Sequence, residues 1–123
     1  MGGSAMGETL IERAVRLAGH LPEVEVASHY GHPALKVGGK AFANPCREPG
    51  ALSVYCPLEL KAALIEARPD LYFDTDHFRG WPAVLVRMDA IDDETLRSRL
   101  EAAWAQRAPK KLLKTWGQQA QQS

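Results

Sequence analysis

The chain has 123 residues, which suits one domain, and its apolar fraction of 46% and charged fraction of 24% are ordinary for a globular protein. A chain of this length buries a core without needing metals or disulfides, and its two cysteines are too few for a disulfide framework. The formal net charge is zero, which excludes a strong overall field for nucleic acid, so any such surface must be a local patch.

The two ends of the chain differ in composition from its middle. Residues 1–7 are small and predict a disordered extension, and residues 115–123 are polar and predict a flexible tail. No apolar run approaches the ~20 residues of a membrane helix, and the N-terminus lacks the pattern of a signal peptide. We therefore expect a cytoplasmic protein with no membrane segment, whose single domain spans residues 8–114.

The first half of the domain predicts one helix followed by short strands. Apolar residues recur near the 3.6-residue period over 8–20, and Pro22 ends this helix. Short strands are predicted at 23–29, 34–37, 40–43 and 51–56. The pair Gly38-Gly39 supplies the positive φ angles of a tight hairpin turn, which makes the strands on either side antiparallel.

The second half predicts two longer helices around one apolar strand. Pro57 suits the first position of a helix that reaches about Arg68, and Asp92 suits the cap of the last helix, which ends before Pro109. Residues 72–79 predict a loop or short strand, and 83–88, the most apolar strand, is expected near the centre of the sheet. The fold class is therefore α+β, a single antiparallel sheet flanked by helices in the order α-β-β-β-β-α-β-α.

Four stretches in this order resemble the MmcQ/YjbR-like family. They are residues 30–43 (YGHPALKVGGKAFA), 74–82 (DTDHFRGWP), 83–88 (AVLVRM) and 103–112 (AWAQRAPKKL). The resemblance covers roughly 8–114 and implies a fold often called CyaY-like. It also implies the label of a DNA-binding protein, which rests on fold analogy. It implies no catalytic residues, because the family has no established reaction.

Two groups of basic residues are candidate phosphate contacts. One flanks the Gly38-Gly39 turn like the arms of a β-wing, and the other follows the last helix. With one arginine of the 74–82 stretch, the candidates for nucleic-acid binding are Lys36, Lys40, Arg79, Lys110, Lys111 and Lys114. Each group also has a structural interpretation. The hairpin lysines can prevent edge-to-edge association of sheets, and the lysines after the last helix can stabilise its C-terminus.

The aromatic stretch 74–82 is the second candidate site. His77, Phe78 and Trp81 lie close enough in sequence to stack on a nucleobase or another planar ligand. The structural alternative is that Phe78 and Trp81 plug one end of the core, with Arg79 covering them.

Catalytic and metal chemistry find no support in the residue pattern. No triad, phosphate loop, dinucleotide fingerprint or zinc-ligand spacing occurs, and nothing near Cys46 or Cys56 activates a thiol. We therefore predict a non-catalytic binding module with no metal and no cofactor. DNA is the first predicted partner, and the alternatives are a protein partner or a small molecule bound by the His77 and Trp81 loop. The expected oligomeric state is a monomer or a weak homodimer.

Overall fold

The computed structural model describes residues 8–29 and 31–114. The helices are α1 (Leu10–Ala18), α2 (Leu58–Ala67) and α3 (Asp93–Arg107), and residues 110–114 are also helical. The strands are β1 (Glu25–His29), β2 (His32–Val37), β3 (Lys40–Pro45), β4 (Ala51–Tyr55), β5 (Tyr72–Phe73) and β6 (Ala83–Arg87). None of the helices in these ranges is long and apolar enough to cross a membrane.

The strands form one six-stranded antiparallel sheet in the order β1-β2-β3-β4-β6-β5, which confirms the predicted α+β class. β5 is the short strand that the sequence left open between loop and strand. β6 is an interior strand but lies one place from an edge, not near the centre as expected, because four strands lie on one side of it and only β5 lies on the other. Val84, Leu85 and Val86 of β6 are nevertheless all buried, so both faces of this strand are covered. Burial on both faces explains its unbroken apolar run.

Local side-chain chemistry sets where the helices begin. Thr9 caps α1 in a capping box: the Glu12 amide donates to Thr9 Oγ1 at 3.1 Å, and the Thr9 amide donates to Glu12 Oε1 at 2.9 Å. Asp92 caps α3 by accepting the Thr95 amide at 2.8 Å, as the sequence predicts. These caps satisfy backbone donors that the first turn of a helix leaves without partners.

The hairpin of β2 and β3 turns through two glycines. Gly38 and Gly39 have φ angles of 59° and 79°, in the left-handed region that glycine adopts without steric cost. A register shift follows between Leu35 and Lys36, so that Leu35 pairs with Ala43 while Lys36 pairs with Ala41. On the other side of β2, the edge strand β1 leaves Val26 54% exposed, so β1 contributes less to the core than its alternation predicts.

The main core lies between one face of the sheet and the helices α1 and α3. Leu52 and Val54 of β4 and the fully buried Trp104 of α3 belong to this core. The indole Nε1 of Trp104 donates to the carbonyl of Pro22 at 3.0 Å, which satisfies its polar edge. The segment after α3 also packs here through the half-buried Leu112 and Leu113.

A polar clamp joins α1 to the start of α3. Arg13 donates from Nε to Asp93 Oδ1 at 2.8 Å and from its other nitrogens to the carbonyls of Met88 and Ile91. Arg16 adds a contact of 3.0 Å to the second oxygen of Asp93. These two guanidinium groups, Arg16 more than Arg13, lower the pKa of Asp93.

Candidate functional site

The second face of the sheet carries a groove with a volume of about 820 Å³. Side chains alternate along β4, so Leu52 and Val54 enter the core while Ser53 and Tyr55 take the opposite face. The groove is lined by His32, Ala41, Phe42, Asn44, Pro45, Cys46, Arg47, Ser53, Tyr55, His77, Phe78, Trp81, Pro82, Ala83 and Arg107. This lining combines aromatic rings, histidines and two arginines, and it includes no carboxylate.

Two neighbouring polar side chains come from the middle of the sheet. Ser53 is only 4% exposed, and its cross-strand partner is Asn44 on β3. The amide nitrogen of Asn44 donates to the carbonyl of Pro45 at 3.1 Å. Within the described chain the hydroxyl of Ser53 has no hydrogen-bond partner. A nearly buried hydroxyl that lines a groove is therefore open to a bound molecule.

Arg107, the last residue of α3, brings a cation to the groove. Its guanidinium lies over the ring of Tyr55, with Cζ 4.2 Å from the ring centroid, and Nε donates to the carbonyl of Ala41 at 3.3 Å. No ion pair between described residues involves Arg107 or Arg47, the second arginine of the lining. The stacking fixes one arginine in place and leaves its terminal nitrogens available to an acceptor.

The predicted aromatic residues line the same groove. His77 and Phe78 contact each other edge to face, with ring centroids 5.2 Å apart, and Trp81 is 63% exposed. Trp81 is therefore not the core plug that the structural alternative predicted, and only Phe78 is half-buried. Arg79 does not cover them, because it is exposed and pairs with Asp76.

Residues 74–82 form what we call the aromatic loop, which is held by Lys61 of α2. Sequence reasoning did not identify Lys61. Its Nζ donates to the carbonyls of Phe78 at 2.8 Å and Trp81 at 3.1 Å, and it lies 3.0 Å from Asp74 Oδ1. The Lys61 residue is only 4% exposed. One signal was available: Lys61 shares a helical face with the apolar residues three and four positions on. A lysine on the apolar face of a helix indicates a buried partner.

The two predicted basic groups meet at the hairpin end of the sheet, with Lys40 as the only hairpin lysine that takes part. The turn packs on the segment after α3, since a Cβ on Gly38 would lie 3.2 Å from Cδ of Pro109. Four exposed lysines on these segments form what we call the lysine cluster, namely Lys40, Lys110, Lys111 and Lys114. The hairpin tip therefore lies against its own chain and does not project as an isolated wing.

Two other candidate cations are less available. Lys36 is half-buried, and its register partner on the neighbouring strand β1 is Glu25. Arg79 lies on the aromatic loop, and its guanidinium pairs with Asp76, both side chains being strongly exposed. No contact described between residues 8 and 114 joins Arg79 to the lysine cluster.

The thiols of the chain do not have the environment of a nucleophile. Burial raises the pKa of Cys46, which lines the groove, and burial also raises the pKa of Cys56. Both groups therefore stay protonated at neutral pH. Within the described ranges, no group of three or more histidine, cysteine, aspartate or glutamate side chains is placed to hold a metal ion.

Comparison with known proteins places the chain among relatives without an assigned role. Uncharacterized proteins of Mycobacterium bovis and of two Mycobacterium tuberculosis strains are each 44% identical to it over 57 residues, which is 46% of this chain and 44% of theirs. The chain thus spans less than half the length of these curated relatives. No solved structure matches it significantly. The family model described as YjbR matches residues 19–106, which include every strand and nearly all of α3, and the chain therefore belongs to the YjbR family.

Proposed function

We propose that this chain is a small non-catalytic binding module for single-stranded nucleic acid, with the lysine cluster as its phosphate-binding surface. The observation that carries the proposal is the packing of the hairpin turn on Pro109. This contact brings Lys40 next to the segment that holds Lys110, Lys111 and Lys114. Cations gathered in this way follow a phosphate backbone better than scattered ones.

The zero net charge conceals a separation of charge along the chain. Residues 26–47 and 102–123 contain seven of the 15 basic residues and none of the 15 acidic ones. The first segment supplies β2, β3 and the hairpin, and the second supplies the end of α3 and the lysines after it. A local positive field at the hairpin end is therefore compatible with a neutral molecule.

Two features favour a single strand over a duplex. The hairpin tip packs on Pro109, so it lacks the free projection with which a wing enters a duplex groove. The exposed ring of Trp81 lines the same groove as Arg107, and Arg107 is three residues before Lys110 of the lysine cluster. Aromatic rings beside cations suit unpaired bases, because stacking requires no particular sequence.

Fluorescence anisotropy with a labelled single-stranded oligonucleotide tests the proposal. With three or four phosphate contacts, raising salt from about 50 to about 200 mM should weaken binding about 20- to 50-fold. Lys40→Glu combined with Lys110→Glu should remove most of the binding. Arg68→Glu combined with Arg97→Glu changes the net charge equally at exposed positions outside the cluster, and should have a much smaller effect.

Two results would overturn the nucleic-acid function. One is no detectable binding at the lower salt concentration, and the other is an equal loss of binding in the two double variants. Recovery of one stoichiometric protein with no nucleic acid in a pull-down would support the alternative of a protein-interaction module.

A further inference from the structure

Two polar groups at the base of the groove have no hydrogen-bond partner among the described residues. Ser53 is more than nine-tenths buried, lines the groove and carries a hydroxyl without a described hydrogen-bond partner. Beside it, the carbonyl oxygen of the Asn44 side chain has no described donor, since that side chain uses only its nitrogen. Asn44 is half-buried, and neither oxygen is sealed from the open groove, so both can exchange hydrogen bonds with a ligand that has polar edges.

The positive charge of the groove favours a negatively charged ligand. Arg47 and Arg107 line it, and no aspartate or glutamate does. Arg107 is held by its stack on Tyr55 and by the bond from Nε to the carbonyl of Ala41, so its terminal N–H groups are already oriented. A positioned guanidinium without a carboxylate partner binds phosphate or carboxylate groups.

The rim of the groove selects the shape of the ligand. Trp81 presents an exposed ring, and the backbone beside it is fixed because Lys61 binds the carbonyls of Phe78 and Trp81. Because the backbone is held, only the two side-chain torsions of Trp81 need to be ordered when its ring stacks on a planar ligand. The volume of about 820 Å³ lies within the range of small-molecule sites.

From these observations we infer that the groove is a binding site for a planar anion, an aromatic ring that carries a phosphate or carboxylate group. The ring stacks on Trp81, the acidic group binds Arg107, and the polar edge of the ring meets Ser53. This inference goes beyond the nucleic-acid function, because the ring can belong to a free molecule or to a nucleotide within a strand. The lysine cluster is not part of the site.

Isothermal titration calorimetry of the full chain tests the site with two probes, adenosine 5′-monophosphate and 2-naphthoate. At least one should bind with 1:1 stoichiometry and about tenfold more tightly than its uncharged counterpart, adenosine or 2-naphthol. Trp81→Ala and Arg107→Gln should each weaken this binding about fivefold or more. The matched controls Leu58→Ala and Arg97→Gln change exposed residues outside the groove and should leave binding unchanged.

Ser53→Ala separates a ligand contact from a structural role. The variant should weaken binding about threefold to tenfold while leaving the melting temperature of the unliganded protein unchanged or slightly higher, because its hydroxyl has no described partner to lose. The inference is overturned if neither anion binds better than its uncharged counterpart. It is equally overturned if the binding of either anion survives both Trp81→Ala and Arg107→Gln.

The site and the nucleic-acid function can fail separately. Lys40→Glu combined with Lys110→Glu should abolish oligonucleotide binding but leave the binding of the small anion within about twofold at about 150 mM salt, where surface charges are screened. Anion binding without oligonucleotide binding would retain the groove site and refute the proposed function. If the oligonucleotide binds equally well to Trp81→Ala and Arg107→Gln, and neither anion binds, the proposed function is retained and the groove site is refuted.

Discussion

The two faces of the sheet are built from the same strands but have different chemistry. On β4, Leu52 and Val54 face the helices and are fully buried among apolar side chains, whereas Ser53 and Tyr55 face the groove. The helices α1 and α3 cover only the first face. The candidate site therefore lies where apolar coverage stops, and strand alternation assigns each residue to one face or the other.

The same contrast between the two sides of the sheet is seen in two cations, the half-buried Arg13 and the buried Lys61. Arg13 binds the carbonyls of Met88 and Ile91 and the carboxylate of Asp93, and thereby joins two helices of the covered side. Lys61 likewise binds two carbonyls and a carboxylate, but the backbone it holds is the aromatic loop beside the groove. Arg13 therefore stabilises the packing of α1 on α3, whereas Lys61 holds the backbone that carries the exposed ring of Trp81.

We expect the largest change in stability from one of the two tryptophans that lie on opposite faces of the sheet. Trp104→Ala removes a fully buried ring and its bond to Pro22, and should lower the free energy of unfolding by about 3–5 kcal/mol. Trp81→Ala removes an exposed ring and should change it by less than about 0.5 kcal/mol. Urea denaturation followed by circular dichroism measures both. Similar losses at the two positions would refute the contrast between the faces.

The next effect concerns the clamp on the aromatic loop. Lys61→Met leaves two carbonyls and Asp74 without their cation, and should cost about 2–4 kcal/mol, reduced because Asp74 is partly exposed. Faster hydrogen exchange should appear at the amides of residues 75–81. Lys40→Met, at an exposed lysine with no described ion pair, is the control and should change little. An unchanged exchange rate in the loop would show that Lys61 does not hold it.

A smaller effect is expected where the hairpin meets the end of α3. Gly38→Ala places a side chain at a φ of 59° and 3.2 Å from Cδ of Pro109, and should destabilise the fold by about 1–2 kcal/mol. Gly39→Ala has a similar backbone angle but meets nothing within 4 Å, so it should cost less. Chemical denaturation of both variants gives the difference. Equal costs would mean that Pro109 does not restrict the turn.

The smallest effect is a dependence on pH at the α1–α3 clamp. The pKa of Asp93 is lowered in the folded state, so its contribution is present at neutral pH and is lost as pH falls below the ordinary value of 3.8 toward the folded value. Asp93→Asn should cost less than about 1 kcal/mol near pH 7, because this carboxylate is 44% exposed and screened.

Urea denaturation at about pH 7 and about pH 2.5 should show the difference between wild type and Asp93→Asn shrinking in acid. Asp89→Asn makes the same change of charge at an exposed carboxylate with no ion pair among the described residues, and serves as the control. A difference that persists in acid would mean that Asp93 acts through something other than its charge.

The fold was more accessible to sequence reasoning than the site. Asp92, the paired glycines and the apolar period of α1 each act within a few residues, and the structure confirms the cap, the turn and the helix they predict. The prediction that β6 lies near the centre was wrong, because the order of strands depends on pairings between distant segments, which place four strands on one side of β6 and only the two-residue β5 on the other.

The candidate site could be predicted only in part, because some of its residues are distant in sequence. His77, Phe78 and Trp81 were predicted as a group because they are close in sequence. Arg107, Ser53 and Lys61 were not associated with them, since each reaches the loop or the groove from a different element.

The class of fold, the hairpin and the approximate helix starts could be predicted from the sequence, because hydrophobic period, caps and turn residues act over a few neighbouring positions. Tertiary structure alone decided which face of the sheet stayed open and which cations came together. Those outcomes depend on contacts between residues far apart in the chain, such as Gly38 with Pro109 and Lys61 with Trp81, and no local pattern encodes them.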